Sequence, residues 1–248
     1  MSKIGLFIPC FMNELYPEAS MDTLKILESF GLDVEYPLEQ TCCGQPQANT
    51  GLAKEASVLA KRFLKIFKKY DYIVAPSGSC VSMVRHNYAQ FLEGLDGFEH
   101  IRDNTFELIE FIHDIIKPTS LHVEFPHRLS IHNSCHAHRE LGLASPSEKS
   151  VTPYSKIKDI LDMVGGITFV APKRNDECCG FGGTFAVTQE AMSIAMGRAR
   201  IQDHLDAGSE YITGVDMSCL MHMQGIIDRE KLPIKTIYIA QILAKGLK

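Results

Sequence analysis

Two tripeptides, Cys42-Cys43-Gly44 and Cys178-Cys179-Gly180, constrain this chain more than any other feature, because each has one further cysteine well before it and one well after. In the first half 31 residues separate Cys10 from Cys42 and 36 separate Cys43 from Cys80; in the second, 42 separate Cys135 from Cys178 and 39 separate Cys179 from Cys219. All 8 cysteines of the 248 residues are used, 4 in each half. Superposing the two sets needs shifts of 125 to 139 residues, too long for a solenoid repeat and about the size of a whole domain. The expectation is an internal duplication, with one Cys-Cys-Gly domain over 1–118 and a second over 119–248.

Apolar patterning places each cysteine after a strand. Ile4 to Ile8 is a short strand-type run leading to Cys10, Leu32 to Tyr36 leads to the first tripeptide, and Tyr72 to Ala75 leads to Cys80. Between them Met21, Leu24 and Leu27 recur at helical spacing up to Phe30, with Gly31 as a stop. A longer amphipathic helix carries Leu52, Ala56, Leu59, Ala60, Phe63, Leu64 and Phe67. Residues 104–116 read as a closing helix and 117–128, with Pro118 and Pro126, as the connection. The cycle then repeats: Leu129 to His132 before Cys135, Ile167 to Ala171 before the second tripeptide, and Glu210 to Gly214 before Cys219. The helix after Gly183 reads with Val187, Ala191, Ile194, Ala195 and Leu205 inward. Even the tails correspond, Thr105 to Ile109 against Thr236 to Ala240. Strand, loop and helix in this order predict an α/β fold of two similar Rossmann-like halves with parallel sheets, whose loops gather the cysteines at one sheet edge.

The balance of charge, −5 overall with no basic run, argues against nucleic acid as a partner. No stretch of apolar residues is long enough for a direct membrane span, and the run Ile4–Met12, broken by Pro9, is short for a secretory signal. The expectation is a cytoplasmic protein whose cysteines stay reduced as ligands or redox groups. Adjacent cysteines add to this, since a disulfide between neighbours is strained whereas two thiolates on a tight turn can share one centre. Four thiolates suit zinc or an iron–sulfur cluster. Wide separation of the ligands disfavours a zinc finger, and glycines after each pair allow the sharp turn such a centre needs.

With its repeated Cys-Cys-Gly blocks, Ser77-Gly78-Ser79-Cys80 and Asp216-Met217-Ser218-Cys219-Leu220-Met221-His222, the chain resembles the two-copy Cys-Cys-Gly family. That family includes the B subunit of heterodisulfide reductase, the iron–sulfur subunit of glycolate oxidase and the lactate utilization proteins; a short chain without a ferredoxin-like segment is most similar to the last. The resemblance implies an oxidoreductase component that passes electrons while a small 2-hydroxy acid, L-lactate, is oxidised to pyruvate. It further implies a ferredoxin-like iron–sulfur subunit and a third subunit as partners. The implied ligands are Cys10, Cys42, Cys43 and Cys80, and Cys135, Cys178, Cys179 and Cys219, holding a 4Fe-4S cluster in at least the second half, with zinc open for one half. The family's fuller motif has a fifth cysteine, replaced here by Met83 and by His222, which makes His222 a candidate substitute ligand. Two alternatives stay open, a zinc-stabilised scaffold for redox partners and sulfur chemistry like that of heterodisulfide reductase; no catalytic residue is assigned.

Around the second set, His132, His136 and His138 crowd Cys135 and read as a polar loop tip, a ligand or a proton relay. Gly180 to Gly183 lacks the order of a nucleotide-binding loop. Arg198 and Arg200 read as exposed helical residues that could meet a carboxylate.

Overall fold

Eight short strands form two four-stranded sheets, all parallel, in the computed structural model, which describes residues 2–247. The chain divides between Ile116 and Lys117 into two units, each with its own sheet. In the first unit β1 (Lys3–Leu6), β2 (Asp33–Glu35), β3 (Tyr72–Ala75) and β4 (Thr105–Glu107) lie in the order β2-β1-β3-β4. The second unit has β5 (Arg128–Ile131), β6 (Thr168–Phe169), β7 (Tyr211–Thr213) and β8 (Lys235–Thr236) in the order β6-β5-β7-β8. Parallel neighbours need crossovers, and helices fill them.

Register shows the duplication at the level of single residues. Ile4 pairs with Tyr72 as Leu129 pairs with Tyr211, and Ile73 pairs with Thr105 as Ile212 pairs with Thr236. Lys3 faces Asp33 as Arg128 faces Thr168. Ile4 to Leu129 is a shift of 125 and Tyr72 to Tyr211 one of 139, the shifts that superpose Cys10 on Cys135 and Cys80 on Cys219. The two halves are similar α/β sheets, as the alternation of strand and helix predicts.

The closing segments differ in part from expectation. Residues 104–116 are not helical throughout: Thr105–Glu107 is an edge strand, followed by the helical turn Leu108–Phe111 and its π-helical continuation Ile112–Ile116, which closes the unit as expected. Glu107 caps that turn through Ile109 and Glu110, and Glu110 reaches back, a capping box that fixes the change from strand to helix. Strands of two or three residues leave too little alternation to read.

The long crossover helices repeat as well. Helix Ala53–Phe67 buries Ala56, Ala60, Phe63, Leu64 and Phe67, one face at helical spacing. Helix Glu190–Asp206 buries Ser193, Gly197, Arg200, Ile201 and His204, each 137 residues on, together with Asp203. Its inner face is therefore not the apolar one expected: Ala191 and Ala195 are exposed, as is Val187 (82%) on the preceding helix Thr184–Thr188. Among the described residues no helix is long and apolar enough to cross a membrane.

Two candidate four-cysteine metal centres

In a sheet ordered β2-β1-β3-β4, chain connections leave β1 and β3 toward opposite sides, so a crevice opens beyond their carboxyl ends. Cys10 opens the helix Cys10–Leu15 beyond β1, and Cys80 is the third residue of the helix Gly78–Ser82 beyond β3. Ser77 caps the latter helix by accepting from the Cys80 N–H at 3.3 Å, which fixes the thiol at a helix start. Cys42 and Cys43 arrive on the loop after β2, turned by Gly44 at φ 84°. The second unit uses the same stations. Cys135 follows β5, Cys178 and Cys179 are turned by Gly180 at φ 89°, and Cys219 is the third residue of the helix Met217–Glu230.

The stations bring four sulfurs together in each unit. Cys10 is hydrogen-bonded to Cys42, Cys42 to Cys43, and Cys43 to Cys80, the last at 3.2 Å between sulfurs. Likewise Cys135 is bonded to Cys178, Cys178 to Cys179, and Cys179 to Cys219. All eight are free thiols. Cys10 is exposed and Cys43 and Cys80 are buried; in the second unit Cys179 is buried and Cys135, Cys178 and Cys219 are half-buried.

Charge concentrates on one sulfur per set. The Cys10 and Cys43 thiols donate to Cys42 and, with the Gly44 N–H at 3.3 Å, draw it down to about 3. The Cys135 and Cys179 thiols and the Gly180 N–H at 3.3 Å draw Cys178 down to about 2. Their neighbours move the other way, because each gives its proton to the central thiolate and is itself screened from water. A four-sulfur donor set with a thiolate already at its centre fits a thiophilic cation or cluster, either zinc or iron–sulfur.

The histidines part company. His222 Nε2 lies 3.2 Å from the Ser193 carbonyl oxygen and 3.4 Å from its hydroxyl, so the ring is engaged with the helix that packs over Gly180. Met83, at the matching position of the first unit, is buried. His138 Nδ1 donates to the Ser134 carbonyl at 2.8 Å. His132 is the histidine that reaches the sulfurs: a ring nitrogen of His132 and the Sγ atoms of Cys179 and Cys219 all lie within 4.8 Å of one another.

Behind His132 is a buried polar group that patterning missed. Arg200 is not an exposed helical arginine but fully buried, donating Nε–H to His132 Nδ1 at 3.1 Å and Nη1–H to Asp203 at 3.0 Å. Asp203 also accepts the N–H groups of Lys173 and Arg174, at 3.1 and 3.0 Å, and so anchors the segment leading to Cys178. Arg198, by contrast, is on the surface with Glu230 at 2.6 Å. Aligning the halves would have exposed the pattern, since Phe7 and Phe63 stand where His132 and Arg200 stand.

A fold and site of this kind define a class. The model of the cysteine-rich domain family matches twice, over residues 4–85 and 129–224. Over the full length, lactate utilization protein A 1 of Bacillus mycoides is 34% identical across 250 residues, 99% of this chain and 98% of that one. Lactate utilization protein A of an Exiguobacterium species is 36% identical across 253 residues, 100% and 99% of the two. The chain belongs to the lactate utilization protein A family of two-copy cysteine-rich domain proteins. A crystal structure of a hypothetical protein from Helicobacter pylori has a similar fold, with TM-score 0.67 at 11% identity over 100% of this chain and 49% of that one.

Proposed function

We propose that the chain is an iron–sulfur subunit of a system that oxidises a 2-hydroxy acid, L-lactate to pyruvate. The observation that carries this is the pair of matched sets of four free cysteines, each gathered at the carboxyl edge of a parallel sheet. The names of the relatives supply the substrate. When bound, an iron–sulfur cluster supplies one-electron transfer. The residues that would hold it are Cys10, Cys42, Cys43 and Cys80 in the first unit and Cys135, Cys178, Cys179 and Cys219 in the second, with a 4Fe-4S form in at least the second. Lactate yields pyruvate, two protons and two electrons; the group that takes hydride or electrons from it belongs to partners, a ferredoxin-like iron–sulfur subunit and a third subunit. Eight free thiols support a reducing compartment, the cytoplasm, for the assembly.

Zinc in the first unit is the second reading, in which that unit serves as scaffold. Four sulfurs satisfy tetrahedral zinc, and the buried Met83 stands where the resemblance has a fifth thiol. Lack of that thiol in both halves counts against chemistry like that of heterodisulfide reductase.

Anaerobic purification with iron, sulfide and zinc analysis tests the proposal. Iron and sulfide near about four or about eight per chain, with a brown absorption bleached by reductant, are expected. Zinc alone in both units, with no colour after reconstitution, overturns it, as does unchanged lactate oxidation by the assembled system carrying Cys42→Ser and Cys178→Ser.

A further inference from the structure

The three side chains behind the second sulfur set have no counterpart in chemistry behind the first. Phe7, Phe63 and Phe67 form a dry stack, with ring centroids 5.0 Å apart for Phe7 and Phe63 and 5.6 Å for Phe7 and Phe67. At the matching positions are His132, Arg200 and His204, exposed by 1%, 0% and 0%. Buried polar groups are retained at a cost in stability unless they are fully bonded. Yet His132 Nε2 is buried with no hydrogen-bond partner in the chain. His204 Nε2 and Arg200 Nη2 are unpartnered too, but of the three side chains it is His132 whose ring lies within 4.8 Å of the Cys179 and Cys219 sulfurs, and this points to what those sulfurs hold.

The direction of the proton follows from Arg200. A guanidinium has donors only, so the Arg200 Nε–H fixes His132 Nδ1 as an acceptor. Neutral imidazole then carries its proton on Nε2, and a nitrogen with a proton does not ligate a metal. Asp203, bonded to Arg200 Nη1 and to two backbone N–H groups, holds the guanidinium in place.

We infer that His132 is an N–H···S donor to the second centre through Cys179 and Cys219, locked in that tautomer by Arg200 and Asp203, and is not a ligand of it. Such a donor withdraws charge from the sulfurs and raises the reduction potential of the group they bind. Phe7 offers no such donor to the first set. The second centre is therefore the more easily reduced of the two, and His132 is a positioning and tuning residue for it. This rests on the reading that the cysteine sets hold iron–sulfur clusters.

The test uses the full chain, isolated anaerobically, in native form and as His132→Phe and His132→Asn. Metal and sulfide analysis comes first, then a redox titration followed by electron paramagnetic resonance. His132→Phe is expected to keep its iron and sulfide and to lower the potential of one signal by about tenfold in reduced-to-oxidised ratio, about 59 mV for one electron. His132→Asn, whose amide supplies an N–H, restores part of it. Unchanged potentials with full iron content overturn the inference, and so does loss of iron from His132→Phe with recovery in added imidazole, which would make His132 a ligand. A chain without iron overturns the cluster reading alone. In that case nitrogen-15 resonance of the zinc-loaded protein still decides: a proton on His132 Nε2 supports the donor assignment, and a proton on Nδ1 with metal-shifted Nε2 overturns it.

Discussion

Helices Ala53–Phe67 and Glu190–Asp206 occupy the same place in the two units and bury the same face, yet one face is hydrocarbon and the other is polar. Ala56, Ala60, Phe63, Leu64 and Phe67 are matched by Ser193, Gly197, Arg200, Ile201 and His204. The strands beneath adjust in step. A Cβ on Gly5 would lie 2.6 Å from Tyr70 and 3.1 Å from Phe67, so only glycine admits the aromatic stack there. Ser130, its counterpart, bonds His204 Nδ1 at 2.6 Å. Spacing and register are thus kept between the two units while polarity behind the sulfurs changes, in the second unit to a network that is largely bonded but leaves His132 Nε2, His204 Nε2 and Arg200 Nη2 without a partner in the chain. What one unit gains from apolar contact the other takes from a hydrogen-bonded network.

The largest expected break in that comparison is Asp203→Ala. It leaves the fully buried Arg200 without its carboxylate and the N–H groups of Lys173 and Arg174 without an acceptor. Removing one partner of a buried ion pair costs about 3–5 kcal/mol. Hydrogen exchange read separately on peptides of each unit should show protection falling in the second unit with little change in the first. Phe67→Ala in the first unit should cost about as much, roughly 3–5 kcal/mol, through cavity formation.

Next come the turn glycines. Gly44 and Gly180 both sit at positive φ, so alanine at either carries the left-handed strain of about 1–2 kcal/mol. A Cβ on Gly180 would also lie 2.6 Å from the Ser193 carbonyl oxygen, whereas one on Gly44 would meet nothing nearer than 3.4 Å. The clash adds roughly 1–3 kcal/mol and pushes Cys178 and Cys179 away from the helix. Metal retention measured unit by unit should fall more for Gly180→Ala than for Gly44→Ala; equal losses would mean that the turn alone matters.

Acid should separate the units, by about 2 kcal/mol through His204 alone. Burial, with the Arg200 guanidinium beside it, holds His204 down at about 2 against an ordinary 6.5. Its folded value is depressed, so above 6.5 both states are neutral there and no stability is lost. Below 6.5 the unfolded chain binds the proton and the folded one does not, so stability falls by about 1.4 kcal/mol per pH unit, roughly 2 kcal/mol by pH 5. Phe67 has nothing to titrate. Burial holds His132 down as well, at about 3, so it adds a second loss of similar size. Exchange protection in the second unit should therefore drop between pH 6.5 and 5 relative to the first, and the double change Ser130→Gly with His204→Phe should remove about half of the difference. The serine must go too, for the reason Gly5 is a glycine.

Much of this frame was legible in the chain. Short apolar runs before each cysteine located six strands, and Phe63, Leu64 and Phe67 marked one helix face. The edge strands Thr105–Glu107 and Lys235–Thr236 were not legible, being too short for alternation to register. Nor was the inner face of Glu190–Asp206, because a hydrophobicity rule searches for apolar residues at helical spacing and here the spacing is kept by serine, glycine, arginine and histidine. Val187, Ala191 and Ala195, all exposed, drew the reading to the wrong side. His132 lay in plain view among three histidines, but its role depends on Arg200, which is distant in sequence.

The smallest expected effect sharpens what burial contributes. Arg198 and Arg200 are two residues apart on one helix, and each pairs with a carboxylate, Glu230 and Asp203. Charge and chain position are nearly the same; exposure is not, since the Arg198 side chain is 60% exposed and that of Arg200 is 0%. An exposed pair is screened by water and held at an entropic cost, so Arg198→Ala should change stability by about 0–1 kcal/mol and leave the second centre's metal content unaltered. Salt should weaken even that effect, as Debye screening requires. Were Arg198→Ala instead as damaging as Asp203→Ala, the contrast between the units would rest on the charge of this helix as a whole and not on the buried network beneath the sulfurs.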